Sequence, residues 1–248
     1  MNISRCNIMK ALRMKAFQET TCYTRPFANK VTETYPLPPY STVKGMIHHV
    51  LKAKELIPFK LSIQGEYDSI ISDYRKMYFV KKNSVNMPII FEGLKVKEKP
   101  EFKDMTSMPL YSHMLYDVNL VIHIQAEEDV LEQIYESFQK LDTFVSLGRQ
   151  EDLLRIDSLE PVKLKELDLF EGERLTYNMY IPTKKIYEDE LNTGIPYQLN
   201  WIYRIKGGIR EWERIPSLYV EKGKIIDQDF IKDKAFIDEE KHIVVWNN

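Results

Sequence analysis

Cysteine is nearly missing from this 248-residue chain: Cys6 and Cys22 are the only two, and no Cys-x-x-Cys spacing exists. That excludes a disulfide scaffold and a cysteine-rich zinc site. Two reduced thiols are expected, the alternative being a pair facing each other from neighbouring strands. Long apolar runs are missing too; none approaches the ~20 residues that a membrane span requires. The opening Met1-Asn2-Ile3-Ser4-Arg5-Cys6 has neither the apolar stretch nor the cleavage site of a signal peptide. A cytoplasmic location with no membrane partner is therefore expected. The catalytic motifs Gly-x-x-x-x-Gly-Lys, Gly-x-Ser-x-Gly and His-Glu-x-x-His do not occur, which argues against a P-loop nucleotidase, an α/β-hydrolase and a zincin. No carboxylate cluster has metal-ligand spacing, so neither a metal nor a cofactor is expected.

What remains is the composition of a folded protein, 44% hydrophobic and 29% charged. The net charge is −2, but it is unevenly spread: residues 1–100 carry +9 and the remainder −11. Such asymmetry marks a polyanion-binding face on an otherwise acidic scaffold, or a chance partition.

Residues 8–25 read as an extended segment with alternation through Leu12, Met14 and Ala16. Pro26, Pro36, Pro38 and Pro39 make the next stretch a loop. A helix follows, capped by Ser41 or Thr42, with Val43, Met46, Ile47, Val50 and Leu51 forming one apolar stripe. Strand-like sequence with alternating Phe59, Leu61 and Ile63 runs to about Met77. Residues 78–114 read as a loop-rich insertion, in which Tyr78–Lys82 and Pro88–Phe91 form two arms of a hairpin or an irregular excursion. Tyr116–Gln125 is a strand with Val118, Leu120, Ile122 and Ile124 on one face. A second helix carries Glu127, Glu128 and Asp129 at its start and buries Val130, Leu131, Ile134, Tyr135, Phe138 and Leu141. A short strand around Leu153–Ile156 comes next. The order is β-α-β-β-α-β, an α+β, ferredoxin-like plan shared with RNA-recognition modules. The reading is thus a ferredoxin-like RNA-binding domain over 1–158 with its insertion, and a mostly β lobe over 159–248. That lobe has a Gly207-Gly208 turn and β-type runs at 177–181 and 243–246.

Two stretches carry a resemblance. They are Pro38-Pro39-Tyr40-Ser41-Thr42-Val43-Lys44-Gly45-Met46 at the first helix and Ser146-Leu147-Gly148-Arg149-Gln150-Glu151-Asp152 after the second. Together with the basic extended segment before them, they resemble the Cas-five family of CRISPR-associated proteins, of the RAMP superfamily, and most the type I-B branch. The resemblance implies an RNA-binding subunit of a Cascade complex in antiviral defence. Such a subunit holds the 5′ handle of the crRNA and caps the backbone filament. It contacts the backbone subunit and the large subunit, and meets target DNA only through the complex. It also implies a thumb that reaches over the RNA, for which the insertion is the counterpart.

Single-stranded RNA is recognised through splayed bases on aromatic planes and cations on phosphates. The loop before the first helix supplies Arg25, Phe27, Lys30 and Tyr40, although Tyr40 could equally cap the core edge. Ser41, Thr42 and Lys44 lie at a helix start that favours a phosphate. Ser41 also reads as a plain cap, and Lys44 as a solvated charge. Gly45 permits close packing, and Gly148 a close approach of backbone. Arg149 either forks onto a phosphate or pairs with Glu151 or Asp152. Tyr78, Phe79, Lys81 and Lys82 interleave aromatic and basic groups, as a gripping or merely a surface hairpin would. A metal-independent endoribonuclease is the competing function. Its weak catalytic candidates are His48 and His49, both off the apolar stripe and expected to face solvent or a partner, with His113, His123 and His242 behind them.

Overall fold

The computed structural model describes residues 9–26, 31–80 and 105–248; for 77–80 and 105–106 it describes the backbone alone. The elements, in chain order, begin with β1 (Met9–Thr21), β2 (Val31–Thr32), α1 (Tyr40–Val50), β3 (Lys60–Glu66), β4 (Ser69–Val80) and β5 (Met105–Gln125). Then come α2 (Glu128–Gln139), β6 (Arg155–Glu166), β7 (Glu173–Arg174), β8 (Asn178–Pro182), β9 (Ile195–Lys206), β10 (Ile209–Val220), β11 (Ile225–Ile226), β12 (Phe236–Ile237) and β13 (Ile243–Val244). The architecture is α+β. One sheet runs β13-β12-β6-β1-β5-β3-β8-β10-β9, with β2 and β4 also on β5. Its ladders are antiparallel except β2 on β5.

Alternation along the central strands decides what each face of the sheet does. Leu12, Met14 and Ala16 of β1, Leu61 and Ile63 of β3, and Val118, Leu120, Ile122 and Ile124 of β5 share one buried cluster. Val43, Met46 and Ile47 of α1 and Leu131, Ile134 and Phe138 of α2 cover it. A helix of 11 residues is unstable alone. Burying each of those three large side chains contributes roughly 1.5–3 kcal/mol, so α1 is held by its stripe rather than by propensity. The expected side-chain cap is not used: the helix starts at Tyr40, its cap is Pro39, and no side chain bonds the first turn. Tyr135 on α2 proves exposed, and so does Leu141, which lies past the helix end at Gln139.

The opposite face carries Arg13, Ser62, Gln64 and His123, all buried. Their cover is the chain segment 238–247. Gln64 Nε2 donates to the Ile243 carbonyl at 2.5 Å, and the Val245 N–H donates to Ser62 Oγ at 3.4 Å. Asn247 closes the strap, donating its N–H to the Leu61 carbonyl (3.0 Å) and accepting the Leu61 N–H on Oδ1 (2.9 Å).

Three expectations need correction. The segment 58–77 is two strands, β3 and β4, turning at 67–68. The arm opposite β4 is β5 itself: Tyr78 pairs with Ser107 and Val80 with Met105. Residues 105–114, expected in the loop-rich insertion that carries Pro100 and Pro109, are strand; Pro88–Phe91 lie outside the described residues. The strand expected at 153–156 begins at Arg155 and runs to Glu166. The later β runs extend the one sheet, β8, β10 and β9 beyond β3 and β12 and β13 beyond β6.

Candidate nucleic-acid interface

The second of the two motifs singled out in the sequence folds against the end of β1. Gln18 Nε2 donates to the carbonyls of Leu147 (2.9 Å) and Asp152 (3.1 Å), and Thr21 Oγ1 donates to Leu147 (3.1 Å). The carboxylate of Asp152, itself buried, accepts the backbone N–H of Cys22 at 3.0 Å and of Arg149 at 2.8 Å. It also holds the Arg149 side chain, with Nη2 at 2.7 Å. Arg149 reaches Glu151 at 3.3 Å as well. Of the two roles open to Arg149, pairing is the one in place. The Asp152 bond, against the pull of burial, raises its guanidinium pKa. Gly148 has φ +113°, and a Cβ there would lie 2.8 Å from Asp152 Oδ2 and 3.1 Å from the Cys22 carbonyl. A glycine is required at this turn. Cys22 is a buried free thiol; Cys6 lies outside the described residues.

Three residues beyond Cys22, Arg25 pairs with Glu33 (2.7 Å) and sits over two rings, 5.6 Å from Tyr35 and 5.3 Å from Tyr197. Phe27 and Lys30 fall outside the described residues. Ser41 and Thr42 are partly exposed in the first turn of α1. Tyr40 is fully buried, donating weakly from its hydroxyl to the Tyr180 carbonyl at 3.4 Å. It packs the core and offers no ring face to a base. Lys44 is 9% exposed, its Nζ 5.0 Å from the Trp201 ring, and burial lowers its pKa. Its expected position off the stripe does not leave it solvated, because β9 rises beside the helix. At Gly45 a Cβ would meet nothing within 4 Å, so no close packing among the described residues explains that glycine.

The β4–β5 hairpin leaves the same region. Arg75 pairs with Glu151 at 3.0 Å, tying its base to the Gly148 turn. Tyr74 and Tyr111, 59% and 49% exposed, face each other across the two strands with ring centroids 5.3 Å apart. The sequence reading missed this pair, whose members come together only through the β4–β5 register. Tyr78 lies farther along β4, and Lys81 and Lys82 lie outside the described residues.

The histidines sort differently from expectation. His48 is half-buried rather than turned out to solvent. Its Nε2 accepts the Ile57 N–H at 3.0 Å, so Nδ1 carries the proton and donates to the Lys44 carbonyl at 2.9 Å. Burial lowers its pKa, and both ring nitrogens are committed to backbone. His49 is exposed, as expected. His123 and His242 meet Asp238 in the buried face beneath the strap, at 3.2 and 2.9 Å from Oδ2. Arg13 donates to the same oxygen at 2.8 Å and to Glu160 at 3.0 Å, and pairs with Glu240. The His123–Asp238–His242 atoms are close enough for a metal ion. The Arg13 guanidinium already brings positive charge to that oxygen, so the group reads as an ion-paired network. Burial would raise the Asp238 carboxyl, but the bonds from His123, His242 and Arg13 hold it far below the usual carboxylate range. Among the described residues no helix is long and apolar enough to cross a membrane.

The family model described as CRISPR-associated protein (Cas_Cas5) matches residues 11–213. No curated protein matches. Among solved structures, a chain of a "CRISPR RNA-guided surveillance complex" is 10% identical, with TM-score 0.52 over 87% of this chain and 91% of that one. A chain of a Type III-B Cmr-beta complex bound to cognate target RNA and AMPPnP is 11% identical, with TM-score 0.45 over 89% and 85%. A CRISPR protein from Archaeoglobus fulgidus is 12% identical, with TM-score 0.43 over 95% and 98%. At such identities the likeness is one of fold, and that argument rests on the first.

Proposed function

Because this chain belongs to the Cas5 family of CRISPR-associated proteins, we propose that it is an RNA-binding subunit of a type I Cascade complex, of the I-B branch. In this reading it holds the 5′ handle of the crRNA, caps the backbone filament, and meets the backbone and large subunits and, through the complex, target DNA. The observation that carries the reading is the family match over residues 11–213.

Geometry supports it at three points. The antiparallel order β6-β1-β5-β3 under two helices supports the ferredoxin-like plan. A second buried cluster drawn wholly from residues 167–245 supports a division near residue 158. The Gly148 turn against the end of β1 and the partly exposed first turn of α1 support a binding surface made of Arg25, Ser41, Thr42 and Gly148, to which we also assign Lys30. The β4–β5 hairpin then serves as the thumb, and we assign Tyr78, Lys81 and Lys82 to RNA binding with it. Tyr40, Lys44 and Arg149 support that surface from below, since their polar groups are buried or already paired. Gly45, with open space above it, leaves α1 accessible to a neighbour.

The endoribonuclease alternative needs a free base. His48 is hydrogen-bonded through both nitrogens, and His123 and His242 are held by Asp238, which leaves His49 and His113. The test is a gel assay with labelled repeat RNA, with and without EDTA. Binding of the 5′ handle without cleavage is expected. EDTA-resistant, site-specific cleavage would overturn the structural role, and neither binding nor cleavage would overturn RNA binding by the isolated chain.

A further inference from the structure

The hairpin of β9 and β10 ends in the two-residue turn Gly207-Gly208, with φ of +58° and +77°. Two positive φ values make the turn compatible with strand twist, and a Cβ at either glycine would meet nothing within 4 Å. The tip stands in open space. Ile205 and Ile209 flank it, 72% and 74% exposed. Ile205 pairs with Arg210 and Ile209 with Lys206, so the two isoleucines lie on opposite faces of the ribbon. Below the tip, Tyr203 meets Trp212 edge-on at 5.2 Å, and Arg210 lies 4.6 Å over the Tyr203 ring. Lys206 has Glu211 at 3.9 Å. Arg204 and Arg210 make no ion pair among the described residues.

We propose that this tip is a docking wedge for another protein, one that presents an apolar crevice edged with carboxylates. Tyr, Trp and Arg are the side chains that concentrate binding energy at protein interfaces. Exposed isoleucines on both faces suit a crevice that closes around the ribbon. A nucleic-acid strand would use the aromatic plane and leave the other face in water. A second copy of this chain would set arginine against arginine. Edge-to-edge pairing along β9 is opposed by its bulge, where Trp201 has no partner between the Asn200–Arg214 and Ile202–Glu213 pairs. The wedge goes beyond the RNA-handle reading and does not need RNA to be bound.

The test places a photo-reactive p-benzoylphenylalanine at Ile205 or at Ile209 of the full chain, in the cells the protein comes from. After irradiation the adducts are digested with ribonuclease or protease, and the joined peptides are sequenced. Both positions should reach one partner, through apolar peptides flanked by Asp or Glu. Arg204→Glu with Arg210→Glu should lower adduct yield at least tenfold while leaving the melting temperature in place. A ribonuclease-sensitive adduct would overturn the wedge in favour of nucleic acid, and an adduct of twice the chain's mass in favour of self-association. Unrelated proteins at the two positions, no effect of charge reversal, or no adduct at all would also overturn it. None of these outcomes bears on repeat-RNA binding by the unmodified chain, so this inference and the RNA-handle reading fail separately.

Discussion

Removing the Asp152 carboxylate should unfasten the Gly148 turn from the end of β1. In Asp152→Ala, the N–H groups of Cys22 and Arg149 lose their acceptor, at 3.0 and 2.8 Å in the native protein. Each orphaned N–H costs roughly 1–3 kcal/mol. The ion pair with Arg149 is lost as well, and breaking a buried pair costs about 3–5 kcal/mol. Discounts apply, because the Arg149 side chain is 17% exposed and keeps Glu151 at 3.3 Å. The turn can also relax toward water. A net loss of about 3 kcal/mol follows, or ~6–12 °C in melting temperature for a chain of this size. Asp152→Asn keeps an acceptor oxygen and should lose about half as much. Urea denaturation followed by circular dichroism measures both. The cycle of Asp152→Ala with Arg149→Ala should give a coupling above ~1 kcal/mol. A loss under ~1 kcal/mol for Asp152→Ala, with coupling near zero, would refute the clamp and return Arg149 to the phosphate.

Gly148→Ala should cost ~1–3 kcal/mol for the positive φ, together with the contact at Asp152, read in the same urea experiment. For His123, burial lowers the pKa. The unfolded chain therefore takes up its proton near the ordinary value of about 6.5 while the folded state resists, so stability is full above that pH and falls as pH drops below it. The depressed Asp238 carboxyl adds a second loss below pH ~4. Melting temperature against pH should show both, and His123→Gln should flatten the first; an unchanged slope would remove His123 as its source. In repeat-RNA titrations, Arg25→Ala should reduce the salt slope by roughly one unit. Lys44→Ala should lower stability and leave that slope in place, and equal slope losses in the two variants would return Lys44 to the RNA surface.

Much of the sheet was legible because its central strands obey period two. Leu12, Met14 and Ala16, and Val118 to Ile124, were read as core faces and are buried there. Both helices were legible from their stripes. The long β5 was not, since Lys103, Asp104 and Pro109 mimic a loop and strand pairing across 24 undescribed residues leaves no local signal. The two motifs were visible, but not that Asp152 ties the second of them to Cys22 at the end of β1, because that contact spans 130 residues. Tyr40 and Lys44 looked available because their cover, Tyr180 and Trp201, comes from β8 and β9, far along the chain. His123, Asp238 and His242 are likewise too scattered for any spacing rule to join them.

The strap over the polar sheet face has a consequence in time. Leu61 and Asn247 are 186 residues apart, and synthesis at ~5–20 residues per second puts about 10–40 s between them. Until the strap is made, Ser62, Gln64 and, once synthesised, His123 must remain hydrated, and the closing contact also bears the entropy of a long loop. Central strands that emerge early thus wait for a cover that arrives last. Nascent chains should pass through a state with the helix side packed and the strap side open, and hydrogen exchange on stalled chains would find protection on β5 arriving before protection on β3.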